Sequence, residues 1–313
     1  MACLFSNFII FACYIMNPQD CKTPPASIAT VGTFDGLHKG HRRVLEMLKK
    51  QASIRNLRPL VVTFDRHPLE TVAPERAPGL ILNPSHKFNE LRKEGLDLNI
   101  VEFSAEVAAT TAQTWMKKLR DEFGVKVLVV GYDNTFGSDG IDMDINDYAR
   151  LGNELGIEVL EAPLEKGVSS SAVRRAVGKG EIERANAMLG RDFCITGVVE
   201  HGEALGRRLG FPTANVKPSY RVLMPLPGVY EAEAVLDNGR VVKAVVNVGS
   251  KPTVGGERPF TIEAHLIDFD GDLYGRNVIL KFKRFLRPEQ CFPNLDALKF
   301  QIGKDVEEVK TSV

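Results

Sequence analysis

From Ile28 to about Leu189, short apolar runs alternate with stretches of helical period. The runs "IATVGTF", "PLVVTF", "LNIVEF", "KVLVVGY" and "IEVLEA" are separated by amphipathic segments, a pattern that predicts a parallel sheet covered by helices. After His41, Val44, Leu45, Leu48 and Ala52 share one helical face, with Arg42, Lys49 and Lys50 opposite. A further helix carries Trp115, Met116 and Leu119, and its Trp is assigned to the core.

Beyond Phe193 the period changes to that of strands joined by tight turns. Asn238-Gly239 sits between two alternating runs, a strong hairpin signal. The stretch "TIEAHLIDFDGDLYGRNVILKFKRFL" reads as a repeat of that design with a longer turn around Asp270 to Gly275, and a helix from about Leu295 to Val309 closes the chain. The expected fold class is therefore α/β followed by β. A Rossmann-like domain with a parallel sheet spans 28–190, and a small antiparallel barrel or sandwich with a C-terminal helix spans 191–313. Residues 1–27 read as an unstructured or non-native extension: Leu4 to Met16 is almost wholly apolar but too short to span a bilayer, and three prolines follow, so Met16 is the expected start.

At 313 residues the chain is long enough for two cores. Lys plus Arg and Asp plus Glu both total 40, so no net positive field gathers nucleic acid or anionic membrane, and neither partner is expected. Five scattered cysteines offer neither a zinc pair nor a disulfide framework, which fits a reducing compartment.

Candidate chemistry begins at "VGTFDGLHKGH", Val31 to His41, between the first strand and the first helix. Ligands of open parallel sheets bind at this position, where a helix N-terminus offers unpaired N–H groups to phosphate. Gly32, Gly36 and Gly40 allow close backbone approach, and His38 and His41 add imidazole donors; a polar surface turn is the plain alternative. There is no G-x-x-x-x-G-K-[ST], so this is not a P-loop. "VSSSAVRRAV", Val168 to Val177, opens another helix with a serine run as cap and Arg174 turned to the same sheet edge, unless Arg174 and Arg175 form a solvated face.

In the second domain, "HGEALGRRLGFPTANV" runs from His201 to Val216 and places a hydroxyl and an amide on a rigid stretch suited to a hard cation. In "TIEAHLI", Ile262, Ala264 and Leu266 point one way, Glu263 and His265 the other. Either the acid and the imidazole share the inner face of a small barrel for a functional reason, or that face is exposed.

"GTFDGLHKGH" with "SSSAVR" resembles the nucleotidylyltransferase signatures of prokaryotic bifunctional riboflavin kinase/FAD synthetases. "GRRLGFPTAN", "PGVYEAEA", "VVNVGSKPT", "TIEAHLIDFDGDLYG" and "FLRPEQCF" are similar to the ordered motifs of their riboflavin kinase domain. The resemblance implies phosphorylation of riboflavin to FMN and adenylylation of FMN to FAD, with ATP as co-substrate and Mg²⁺ as cofactor, and a cytoplasmic location. It implies that His38, His41 and Arg174 bind ATP phosphates, with Gly32, Phe34, Asp35, Gly36, Gly40, Ser170 and Ser171 around them. It assigns the FMN side to "TFDRHP" and "GYDNTFG", hence to Asp65, His67, Asp133 and Asn134. In the kinase domain it gives Glu263 as base, Thr213 and Asn215 as magnesium ligands, and Gly206, Arg207, Gly210, Pro212 and Arg287 as binding residues. Asn134 stands where an aromatic residue is usual, Ser138-Asp139 where a basic pair is common, and Arg66 where proline is usual. An adenylyltransferase for another phosphate would not need the barrel, and a non-catalytic flavin binder would not need the retained histidines and Glu263.

Overall fold

The computed structural model describes residues 24–132, 135–202, 205–250 and 260–312. Its first half is a five-stranded sheet built from β1 (Ser27–Val31), β2 (Arg58–Phe64), β3 (Asp97–Val101), β4 (Val125–Val130) and β5 (Glu158–Glu161). The order is β3-β2-β1-β4-β5 and every pairing is parallel. Helices α1 (Lys39–Arg55), α2 (Pro68–Val72), α3 (Pro84–Lys93), α4 (Ala105–Ala108), α5 (Ala112–Phe123) and α6 (Ile145–Leu155) connect the strands. Successive strand residues serve opposite faces. Ile28, Val61 and Val127 join Leu45 and Leu48 of α1 in one cluster, whereas Ala29, Val62 and Leu128 join Met116 and Leu119 of α5 in another. With both faces covered, the strand order reverses between β1 and β4, and the crevice beyond their carboxyl ends is where such sheets bind ligands. Ser27 already belongs to β1, one residue earlier than expected; the proposed extension otherwise falls, up to residue 23, outside the described residues.

Helices α7 (Ser170–Gly178) and α8 (Ile182–Leu189) lead into the second half, where β6 (Phe193–Glu200), α9 (Leu205–Leu209), β7 (Ala214–Pro218), β8 (Gly228–Leu236), β9 (Val241–Ser250), β10 (Phe260–Leu266) and β11 (Asn277–Arg287) precede α10 (Leu295–Thr311). The six strands close into a barrel in the order β10-β7-β6-β11-β8-β9, which leaves no open edge. Val173, Val177 and Leu189 of α7 and α8 are buried in the same cluster as the barrel interior, so the two halves share apolar packing near the expected boundary. Val306 and Val309 of α10 cover Val229, Val245 and Ile267 on the outside of the barrel.

One expected pairing is corrected. β10 and β11 do not form a hairpin: β10 pairs with β7 and β9, and β11 with β6 and β8. Closure of the barrel inserts β7 and β6 between them, and the segment from Ile267 to Arg276 therefore crosses the barrel end. The β8–β9 hairpin around Asn238-Gly239 forms as read, with Gly239 N–H donating to the Leu236 carbonyl at 2.9 Å.

Candidate functional site

The turn after β1 departs sharply from regular backbone. Phe34 and Leu37 take φ of 49° and 41°, and Gly36 between them takes 84°. Each such non-glycine residue costs about 1–3 kcal/mol, so the turn persists only under outside constraint. Those constraints are visible. Asp35 is buried and accepts from the Ile81 N–H at 3.0 Å and the Leu82 N–H at 3.3 Å, while the Gly36 carbonyl accepts from Arg191 at 2.7 Å.

The turn delivers His38 to the N-cap of α1, where its Nδ1 accepts from the His41 N–H at 3.3 Å. The two imidazoles stack with centroids 3.7 Å apart, and the Phe34 ring meets His41 edge-on. Burial, and then the neighbouring His38 and Lys87, hold the His41 pKa well below its ordinary value. A neutral imidazole results, a hydrogen-bond donor without charge. Opposite, Ser169 caps α7 by accepting from the Ala172 N–H at 3.1 Å. Both helix starts border one cavity of about 270 Å³, lined also by Gly32, Phe34, His38, Gly40, His41, Gly131, Ser170 and Ser171. Two helix N-termini thus face a single space, a disposition suited to a polyphosphate.

Not every residue assigned to that space reaches it. The Arg174 guanidinium pairs with Asp35 at 2.6 Å and reaches toward the Gly79 carbonyl at 3.4 Å; it is absent from the lining of the 270 Å³ cavity. Asp35 is likewise absent from that lining; burial raises its pKa, and the Arg174 charge, the two backbone donors and the Lys87 charge oppose the rise without cancelling it. Ser170, besides lining the cavity, donates to the Asp35 carbonyl at 3.1 Å. Gly36 packs against Ile81. Asp65 and His67 meet Asp35 across a recess of only about 10 Å³. Burial works against the Asp65 charge, but Arg66 and the Phe103 N–H outweigh it and lower its pKa. His67 caps α2 through Nδ1, and burial lowers its pKa. Asp133 and Asn134 lie outside the described residues.

Sequence reasoning missed Lys87. Its Nζ is buried and donates to the Thr33 and Phe64 carbonyls at 2.9 and 3.1 Å, joining the carboxyl ends of β1 and β2, and burial lowers its pKa to about 8. A lysine within an ordinary amphipathic helix carries no signal of this. A second cavity, of about 170 Å³, also escaped notice. Phe64, Phe103, Trp115 and Phe136 line it, and Gly32 and Thr33 form the wall it shares with the first. Trp115 is a core residue as read, and its ring borders this cavity as well.

On the barrel, Ile262, Ala264 and Leu266 fill the interior, so Glu263 stands on the outer face. The expected inner-face acid is therefore corrected. Directly beside Glu263 in register are Asn215 on β7 and Asn247 on β9. Glu263 Oε2 accepts from the Thr213 hydroxyl at 3.5 Å, and His265 hydrogen-bonds the Pro212 carbonyl at 2.8 Å. Two cavities meet at Thr213. One, of about 500 Å³, is lined by Arg207, Pro212, Asp270, Asp272 and Tyr274 where the segment after β10 crosses the barrel end. The other, of about 310 Å³, lies under α10 and is lined by Gly206, Phe211, Val229, Val245, Phe292 and Ile302 together with Glu263 and Arg287. Arg287 is held by Asp305 of α10 at 2.7 Å and so anchors one wall of that cavity. Gly210 follows α9 and borders neither cavity; nor does Asn215, whose side chain packs over Gly202. Thr213, Glu263 and Asn215 offer hard oxygen donors, but among the described residues no group of three or more His, Cys, Asp or Glu side chains is arranged for a metal.

Comparison with known proteins follows the same division. Residues 20–172 match the FAD synthetase family and residues 189–313 the riboflavin kinase family. The bifunctional riboflavin kinase/FMN adenylyltransferase of Escherichia coli K12 is 39% identical over 284 residues, covering 89% of this chain and 90% of the relative. That of Bacillus subtilis is 33% identical over 288 residues, covering 90% and 91%. A crystal structure described as a macrolide-efflux protein from Streptococcus pneumoniae superposes with a TM-score of 0.82 at 32% identity, covering 94% of this chain and 97% of that one. Among the described residues here, no helix is long and apolar enough to cross a membrane.

Proposed function

The chain belongs to the bifunctional riboflavin kinase/FMN adenylyltransferase family, and from that premise we propose how its two units divide the work. It phosphorylates riboflavin to FMN and adenylylates FMN to FAD. The dividing line falls near Arg191, with kinase chemistry on the barrel and adenylyl transfer on the parallel sheet. One observation carries the reading: each half holds a polar cavity and a more apolar one that share a wall, at Gly32–Thr33 and at Thr213. A phosphorylated co-substrate and a flavin ring ask for that pairing, with the reacting atoms at the shared wall.

In the barrel unit, riboflavin lies under α10 with its ribityl chain toward Thr213, and ATP occupies the larger cavity. Glu263 accepts the proton of the terminal ribityl hydroxyl as its oxygen attacks the γ-phosphorus, and ADP departs. Thr213 orients the phosphate. In the sheet unit, an FMN phosphate oxygen attacks the α-phosphorus of ATP and pyrophosphate leaves, so no protein nucleophile is needed. The helix N-termini of α1 and α7, with the His38 and His41 imidazoles, hold the charge that develops on the departing pyrophosphate. Phe64, Phe103, Trp115 and Phe136 stack around the flavin. The Thr213 hydroxyl, with Glu263 and Asn215 nearby, would hold a magnesium ion beside the ATP phosphates, and the ion would neutralise phosphate charge there. Incubation of the purified chain with riboflavin and Mg-ATP, followed by chromatographic separation of flavins, tests the reading: FMN and then FAD are expected, and formation of neither overturns it.

A further inference from the structure

The strained turn bearing Asp35 is held from the barrel side of the molecule. Ile81 and Leu82 give their N–H groups to the Asp35 carboxylate, and Ile81 is fully buried in the cluster that also contains the barrel interior. An added Cβ at Gly36 would lie 2.9 Å from Ile81 Cγ2, so the same side chain packs closely against the turn and leaves room for glycine there. The residue before Ile81 is joined to the barrel unit directly. Leu80 forms a parallel bridge with Val222, its N–H donating to the Arg221 carbonyl at 2.8 Å and its carbonyl accepting from the Leu223 N–H at 2.9 Å. Gly79 fits so tightly there that a Cβ would come within 2.5 Å of the Val222 carbonyl oxygen. Arg221 reaches back to the Pro74 carbonyl at 3.0 Å, and Arg174 bridges Asp35 and Gly79. A contiguous path therefore runs from the segment between β7 and β8, through the backbone hydrogen bonds of Leu80 and the Ile81 and Leu82 N–H groups, to the Asp35 carboxylate in the turn that presents His38 and His41.

We propose that Gly79–Leu82 is a strap through which the kinase unit holds the adenylylation turn in its strained form, and that Asp35 is the positioning residue the strap grips. The proposal rests on the functional reading above. Asp35 acts on the Phe34–His38 backbone, not on ATP: without the strap, the turn keeps only its side-chain contacts from Arg174, Ser170 and Arg191, Phe34 and Leu37 relax toward ordinary dihedrals, and the imidazoles move off the departing pyrophosphate. The dependence runs one way, because none of Gly79 to Leu82 borders the two cavities that meet at Thr213.

Full-length Gly79→Ala, Asp35→Asn and the double variant test this, with both reactions and thermal unfolding measured beside the wild type. Gly79→Ala is expected to lower kcat for FAD formation from FMN tenfold or more, with riboflavin phosphorylation within twofold. Asp35→Asn is expected to lower the same kcat with KM for ATP within twofold, and the double variant to lose no more than the worse single. The strap is overturned if Gly79→Ala leaves FAD formation within twofold, if a folded Gly79→Ala protein loses both reactions equally, or if the two losses multiply. Should Gly79→Ala not fold, Asp35→Asn decides alone: a raised KM for ATP at unchanged kcat makes Asp35 a nucleotide contact and refutes the positioning role. A wild-type chain that makes no FAD from FMN overturns the functional reading itself, and the strap with it.

Discussion

Replacing Glu263 by Gln isolates one proton transfer. The side chain keeps its shape and its place between Asn215 and Asn247 on the outer face of the barrel, but the amide accepts no proton. Its contact with Thr213, at 3.5 Å, is at the limit of a hydrogen bond, so exchanging a carboxylate for an amide in this half-buried position costs less than about 1 kcal/mol of stability. The catalytic cost is of another order. A positioned general base contributes about 10²–10⁴-fold, or roughly 3–5 kcal/mol of barrier at about 1.4 kcal/mol per decade. Riboflavin phosphorylation should therefore fall by two to four decades while the melting temperature moves by only a few degrees. Conversion of added FMN to FAD should be unchanged, since the cavity beside His38 and His41 is built from other elements. Flavins separated by chromatography from parallel reactions with riboflavin or FMN give both rates. Phosphorylation within tenfold of wild type in a folded variant would refute Glu263 as the base.

His41→Ala removes one donor from the adenylylation cavity, so FAD formation is expected to drop by about 10²–10³ in the FMN assay while riboflavin is still phosphorylated. Arg287→Met leaves Asp305 buried with Gln301 as its remaining side-chain partner; urea unfolding should record a loss of about 3–5 kcal/mol, riboflavin KM should rise as α10 loosens, and Asp305→Leu in the same chain should restore stability. Lys87, with a folded pKa of about 8 against an ordinary 10.5, binds a proton less readily folded than unfolded. Between those values the unfolded chain holds the extra proton, so the contribution of Lys87 to stability rises with pH, by roughly 3 kcal/mol in full. Unfolding measured at pH 7.5, 9 and 10.5 should show wild type gaining on Lys87→Met across that window, and a pH-independent difference would contradict the burial argument.

The sequence by itself determined what is local. Apolar runs of strand length between helical periods predicted all five parallel strands, the Asn238-Gly239 hairpin formed as its turn chemistry requires, and both candidate stretches were marked by motifs whose residues are neighbours in the chain. Period is a property of consecutive residues, and so it survives without tertiary information. What the tertiary structure decided is which distant groups meet. Arg174 and Asp35 are 139 positions apart, and only the docking of α7 under the turn pairs them and draws the guanidinium away from the cavity. Alternation separated Glu263 from Ile262 and Ala264 but left open which set faced inward; barrel closure settled that, and it also parted β10 from β11, which sequence proximity had joined. Lys87 and the four aromatic residues Phe64, Phe103, Trp115 and Phe136 carry no common signal along the chain, because they come from a strand end and several connections of the sheet. Pairing, burial and the walls of a cavity depend on which segments the shared core brings together, and no window of neighbouring residues contains that information.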